Sequence, residues 1–515
     1  MVVSGFSNQD YNHHPDLFWI RLSSRSLTVL KKRSFDMTHG DLAALSATET
    51  VALVKARQIS PVEVVEASLD RIERYNPTLN AVVTLNEQAI EDAGALEVSL
   101  RSAAGSQVLC GVPVGIKDLT PVAGLRTTYG SPIFSDHVPT EDAMVVQRLR
   151  SEGAIIVGKT NTPEFGAGAS TFNEVFGRTR NPWNPERTSG GSTGGGASAL
   201  ASGMIAIAEG SDLGGSLRIP ASFCGLVGLR PSPGLVPTHP TEWLWDELSV
   251  SGPMARTAED VALALQVMAG SDPRSPRSQS IQGRDFSRGI RDLQTDGLRL
   301  GYCPDVAGLG IDPGIAEVCR SAALGLKTGG ADVEPIEVDL SDARKAFLHL
   351  RGVWMVTHMR DLMDRIEELG DNVRGNVEAG LRVTSEQIAW AHGVRDRMWM
   401  FFRHFFERYD FLLTPSMAVS PFPVEQNYPE SIAGRPMKTY VDWFAPTFTL
   451  SLTGLPIASV PCGLDDEGLP VGLQIVGPPA GEERVLGLCA RIQEMYPIGY
   501  PDLGALDQFT VAATD

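Results

Sequence analysis

Between about residues 111 and 270, short β-branched runs alternate with helical patterns, and this alternation limits the chain to a sheet assembled from strand-helix units. Ala154-Ile155-Ile156-Val157, Met204-Ile205-Ala206-Ile207 and Leu226-Val227-Gly228-Leu229 read as strands, and residues 143–150, just before the first of them, as a helix. Such runs belong to a sheet covered by helices on both faces. The same style returns in Phe411-Leu412-Leu413-Thr414-Pro415 and in Leu455-Pro456-Ile457-Ala458-Ser459-Val460-Pro461, so the end of the chain is expected to rejoin that sheet. No repeat or linker divides it. The fold class is α/β: a single large domain over residues 37–515, with a central mixed β-sheet covered by helices on both faces.

Two helices are expected to open the ordered part. The second is announced by Ser60-Pro61-Val62-Glu63, in which Ser60 caps, Pro61 takes the first helical position and Glu63 completes a capping box; Val65, Leu69 and Ile72 form its apolar stripe. Residues 1–36 read as a leader or mobile tail without catalytic role, because Met37 directly precedes the first clearly periodic segment, and Leu27-Thr28-Val29-Leu30 is too short for a secretory segment. From about 335 to 410 long helical stretches carry Trp354, Met355, Met359, Leu362, Trp390, Met398, Trp399, Phe401, Phe402, Phe405 and Phe406. These side chains either pack helices together or wall an apolar substrate pocket.

A formal net charge of -18 excludes a surface built to neutralise phosphates, so no nucleic-acid partner is expected. No run approaches the ~18 apolar residues of a membrane span. The six cysteines include no C-x-x-C pair, which suits reduced thiols in a cytoplasmic protein and implies neither disulfides nor a structural metal.

Two strings imitate well-known motifs. Gly153-Ala154-Ile155-Ile156-Val157-Gly158-Lys159-Thr160 matches a phosphate loop letter by letter, but the residues between its glycines are themselves a strand, and Asn161-Thr162-Pro163 follows where a helix should open. Gly190-Gly191-Ser192-Thr193-Gly194 matches the nucleophile elbow of α/β-hydrolases. Residues 178–187 before it are polar and contain two prolines, so they cannot form the central strand an elbow requires, and the last histidine, His404, stands too early for a late triad member.

What remains is a glycine-dense block in two parts, Ser189 to Gly196 and Gly210-Ser211-Asp212-Leu213-Gly214-Gly215-Ser216-Leu217-Arg218-Ile219-Pro220. Glycine at this density signals unusual backbone angles or close approach to a ligand. Gly214 and Gly215 can turn successive N–H groups toward one point beside Ser216, as stabilising an oxyanion requires. A serine hydroxyl needs a base, and no histidine accompanies either serine. Lys117, ending the apolar stretch Gly111-Val112-Pro113-Val114-Gly115-Ile116-Lys117-Asp118, is the best candidate. Bringing an amine from about 10.4 to near 7 takes roughly 4 kcal/mol of environmental bias, within the range of buried lysines.

Taken in order, Gly115-Ile116-Lys117-Asp118, the Gly190 to Gly196 block and Gly214-Gly215-Ser216 through Ile219-Pro220 resemble the amidase signature family. Further similarity lies in Phe223 to Pro231, Gly252-Pro253-Met254-Ala255-Arg256, Gly454-Leu455-Pro456 and Leu469 to Gln474, from about residue 40 to 490. The resemblance implies that Lys117 is the base, Ser192 a bridging serine after a cis peptide, and Ser216 the nucleophile. It implies backbone N–H groups around Leu213, Gly214 and Gly215 as an oxyanion hole, with Ser192 also at the substrate, and no cofactor. Thr193, Leu213 and Arg230 depart from the family's usual wording, where serine, threonine and lysine are common; none is a reacting group. Asp212 and Arg218 read as loop supports, and Asp118 as structural.

The expected reaction is hydrolysis of a small-molecule carboxylic amide through an acyl-enzyme. The aromatic region suits an aryl or otherwise apolar portion, carbamates fit because their carbonyl can be attacked in the same way, and primary amides remain open. The alternative is a glutamine-hydrolysing amidotransferase subunit that acts only within an assembly. The expected state of the protein alone is a monomer or homodimer.

Overall fold

The computed structural model describes residues 37–101 and 107–509, so the leader expected over 1–36 lies outside the described residues. The first described helices are α1 (His39–Ala44), α2 (Ala47–Lys55) and α3 (Pro61–Leu79). The sequence reading expected two helices here. Ser46 makes the difference: its side chain accepts from the Glu49 N–H while Glu49 returns to the Ser46 N–H, a capping box that starts a new helix after α1. Ser60 and Glu63 cap α3 in the expected way, and Asn80 ends it in the left-handed conformation.

Eleven strands form one sheet. In chain order they are β1 (Val82–Leu85), β2 (Pro113–Lys117), β3 (Ile155–Thr160), β4 (Ile207–Asp212), β5 (Val227–Arg230), β6 (Val250–Ala255), β7 (Arg299–Tyr302), β8 (Asp332–Pro335), β9 (Phe411–Pro415), β10 (Ile457–Leu464) and β11 (Pro470–Val476). Their spatial order is β1-β3-β2-β4-β6-β5-β10-β11-β9-β7-β8. Parallel pairs, β2 with β3 and β4, and β7 with β8 and β9, are joined by antiparallel ones, so the sheet is mixed as expected.

Successive strand residues enter different cores. Phe411 and Leu413 belong to one cluster and Leu412 to another; Ile156 and its neighbours Ile155 and Val157 divide likewise. Both faces are therefore buried, which explains why the strands lack a polar alternation. From His39 onward the described residues form one compact unit.

The chain reverses direction across the sheet at β2. It passes first to β3 on one side and then, through helix α4 (Gly194–Ala201), to β4 on the other. The carboxyl ends of β2 and β4, parallel neighbours with Ile116 opposite Glu209, flank this switch point, where open α/β sheets characteristically bind ligands. The strand expected at 204–207 begins only at Ile207 and continues through Glu209, Gly210, Ser211 and Asp212, polar or small residues that hydropathy does not mark as strand.

Candidate active site

Lys117 ends β2 and is wholly buried. Its Nζ donates to Ser192 Oγ at 2.7 Å and to Ser211 Oγ at 3.0 Å. Burial pushes the amine down to about 7, against the opposing pull of Glu209 and Asp212. Glu209 is itself buried, and burial raises its carboxyl above the ordinary range while Thr120 and the Lys117 N–H hydrogen-bond to it.

Ser192 lies two residues before α4 and follows a cis peptide bond from Gly191. The helix begins hard against the end of β3, where a side chain at Gly195 would place Cβ 2.2 Å from the Asn161 nitrogen. Only glycine fits there, which accounts for part of the glycine block. Thr193 N–H donates to Ser216 O at 3.1 Å, tying the two halves of the block together.

Ser216 lies in the loop between β4 and helix α5 (Arg218–Cys224). The loop is held from beneath by Asp212, which accepts from the Gly215 N–H at 2.9 Å and the Leu217 N–H at 3.2 Å. Arg218 and Arg230 both pair with the same carboxylate, and neither they nor Asp212 is exposed. Burial alone would raise the Asp212 carboxyl, but the two guanidinium groups and these hydrogen bonds hold it well below the usual carboxylate range. Asp212 and Arg218 are thus loop supports, and Arg230, one of the unusual residues, adds a second cation that also donates to Leu248 O and Ser451 O. Asp118 accepts from Thr128 and lies 3.8 Å from Lys159, away from the serines' hydrogen bonds.

One of the three N–H groups expected to face an oxyanion is committed elsewhere. Gly215 points its N–H at Asp212 because its φ of +127° turns the peptide toward the carboxylate. The N–H groups of Leu213, Gly214 and Ser216 donate to no protein acceptor among the described residues. Ser216 Oγ likewise makes no hydrogen bond to Ser192 Oγ; the two side chains meet as walls of one cavity.

That cavity, of about 50 Å³, is walled by Ser192, Ser211, Leu213, Gly214 and Ser216 on the sheet side, and by Leu119, the 165–169 loop, Arg351, Trp354, Met355 and Phe444 opposite. Leu119, Ser211, Ser249 and Trp354 also border a second lobe of about 170 Å³ that runs past Trp243, Asp246 and His358. Trp354 stacks on His358 with ring centroids 3.8 Å apart and donates from Nε1 to Asp246 at 2.6 Å.

The aromatic region divides between its two expected roles. Helix α6 (Ala343–His358) supplies the wall residues Arg351, Trp354 and Met355, whereas Met398, Phe402 and Phe405 of helix α7 (Ser385–Arg408) are core. Trp399 and Phe401 do neither and are exposed. Sequence reasoning missed Ser211, although it sits inside the glycine block beside Asp212, and missed Arg351, whose only signal was a charge set among the aromatics of α6.

Among the described residues no helix is long and apolar enough to cross a membrane. A family model described as Amidase matches residues 63–486. An acylamidase of Rhodococcus erythropolis is 35% identical over 491 residues, 92% of this chain and all of that one. A glutamyl-tRNA(Gln) amidotransferase subunit of Alkaliphilus metalliredigens (strain QYMF) is 34% identical over 84% of this chain and 92% of its own. The crystal structure of a bacterial aryl acylamidase of the amidase signature enzymes superposes with a TM-score of 0.83 at 30% identity, covering 91% of this chain and 99% of that one.

Proposed function

The chain belongs to the amidase signature family, as a hydrolase acting on carbon-nitrogen bonds, and from that premise we propose that it cleaves small-molecule amides through an acyl-enzyme on Ser216. The observation that carries this reading is the Lys117–Ser192 contact of 2.7 Å opening onto the cavity that Ser216 lines.

In this mechanism Lys117, neutral above about pH 7, draws a proton through the Ser192 hydroxyl from Ser216 as Ser216 Oγ attacks the carbonyl carbon. The Ser192 to Ser216 link forms when substrate settles in the cavity, since catalytic hydrogen bonds tighten in the complex. Developing negative charge on the carbonyl oxygen is met by the N–H groups of Leu213, Gly214 and Ser216. Ser192 then delivers a proton to the leaving nitrogen, the C–N bond breaks and the amine departs. Water, deprotonated along the same path, attacks the ester and releases the acid.

The first lobe holds the reacting group and the part of the substrate next to it, and the second offers room for the remainder of an aryl amide. The acylamidase relatives favour that substrate class. Carbamates present a carbonyl that the same serine attacks. The equally similar amidotransferase protein supports a second reading, glutamine hydrolysis that depends on partner subunits.

Amine release by the purified protein from an aryl anilide, a primary aliphatic amide, an aryl carbamate and glutamine, beside Ser216→Ala, decides between them. Release from the anilide by wild type and none by the variant is the expected result. Silence on all four substrates favours the partner-dependent reading, and equal turnover by the variant removes Ser216 from the chemistry.

A further inference from the structure

Arg351 is the one charged side chain on the wall of the reactive cavity among the described residues. It is only 6% exposed, yet no carboxylate of a described residue lies within ion-pair distance. Its partners are neutral: Nε donates to Asn376 Oδ1 at 3.0 Å and one terminal nitrogen, NH2, to Tyr440 Oη at 2.7 Å. The other, NH1, donates to no protein group among the described residues.

Other buried arginines here differ. Arg218 and Arg230 share Asp212, and the part-buried Arg395 pairs with Glu247. Arg256, equally buried at 6%, donates to the carbonyls of Leu45, Leu200 and Ile205 from both terminal nitrogens. Among the described residues Arg351 alone combines burial, a missing counter-charge and a free corner, and it does so where substrate must lie. A buried charge without a partner is costly, and a guanidinium held on one edge presents the other to a planar anion. Asn376 and Tyr440 provide that hold.

We propose that Arg351 binds a carboxylate of the substrate, so that the amides this protein hydrolyses best carry an anionic group on their acyl or their amine portion. This role rests on amide hydrolysis at Ser216, and its test is arranged so that the two can fail separately. Acetanilide serves as the neutral amide, succinanilic acid carries a carboxylate on the acyl side, and 4-acetamidobenzoate carries one on the amine side.

Binding of each is measured by calorimetry to Ser216→Ala, and kcat/KM is measured in wild type, Arg351→Lys and Arg351→Gln. One carboxylate amide should bind at least tenfold more tightly than acetanilide and exceed it by a similar factor in kcat/KM, chiefly through KM. Which one it is assigns the anion to the acyl or amine side. The preference should vanish in Arg351→Gln and survive in part in Arg351→Lys, which keeps the charge if the glutamine variant fails to fold. Equal or weaker binding of both carboxylate amides, or a preference unchanged in the variants, overturns the role of Arg351. Turnover of acetanilide that disappears in Ser216→Ala leaves the hydrolytic reading standing whichever way that result falls.

Discussion

Asp212 and Arg218 face each other as a fully buried, two-pronged pair, with Arg218 Nε 3.1 Å from one carboxylate oxygen and NH2 2.9 Å from the other. The short loop between them carries Ser216, so the pair fixes both ends of the segment on which the proposed attack depends. Its strength follows from desolvation: each charge is tolerable only because the others are present.

Asp212→Asn should therefore cost about 3–5 kcal/mol of stability, since it leaves Arg218 and Arg230 uncompensated, and should lower kcat at least tenfold. Thermal melts and steady-state rates check both. Because the folded carboxyl is held below its unfolded value of about 3.9, its stabilisation is full above that pH and is lost as pH falls further. The variant should lack that acid-dependent loss.

Hydrolysis should depend on a group titrating near 7, with kcat/KM low under acid conditions and level above the transition, because only neutral Lys117 accepts a proton. Lys117→Met should lower kcat by about 10²–10⁴. It should also change stability in a defined window. Between about 10.4 and about 7 the unfolded lysine holds a proton that the folded one does not, so wild type loses stability as pH falls through that range. The methionine variant should not. Denaturant melts across this range provide the check, and parallel pH profiles would contradict it.

Ser211→Ala removes an acceptor 3.0 Å from Lys117 Nζ, and with it some support for the ammonium form. The acid limb of the pH–rate profile should move to lower pH and kcat should fall severalfold, because the amine is less well aimed at Ser192. A lower rate with an unmoved profile would reduce Ser211 to packing.

Gly215→Ala should be nearly inactive. Its Cβ would lie 2.3 Å from Thr447 Oγ1, and φ of +127° is unsuited to alanine. Thr447 cannot readily give way, as its hydroxyl donates to Gly214 O at 2.7 Å. The expected destabilisation is about 1–3 kcal/mol. Half of wild-type activity or more would contradict it.

The sheet and the glycine-dense turns were legible because burial on both faces leaves apolar strands, and because glycine marks close approach. Less legible were residues whose role depends on a partner far away in the chain. Ser211 looks like any loop serine until β4 places it beside β2 and Lys117. Arg351 reads as the polar side of an aromatic helix, and only folding reveals that no acid answers it. The strand Ile207–Asp212 was misplaced toward Met204 because its later residues are polar, buried for the sake of Lys117 and the serine loop rather than for hydrophobic packing. The Gly215 N–H was misassigned for a related reason: adjacent glycines can aim their N–H groups together or apart, and Asp212 decides which.

The groups proposed to react, Lys117, Ser192 and Ser216, come from the strip β2–α4–β4 and its loops, whereas Arg351, Trp354, Met355 and Phe444 come from much later in the chain. Inheritance can therefore act on the two separately. Recombination confined to the α6 region would exchange one clientele of amides for another while the hydrolytic apparatus passes on unaltered, and a chimera joined between β8 and α6 is the natural place for an engineer to begin.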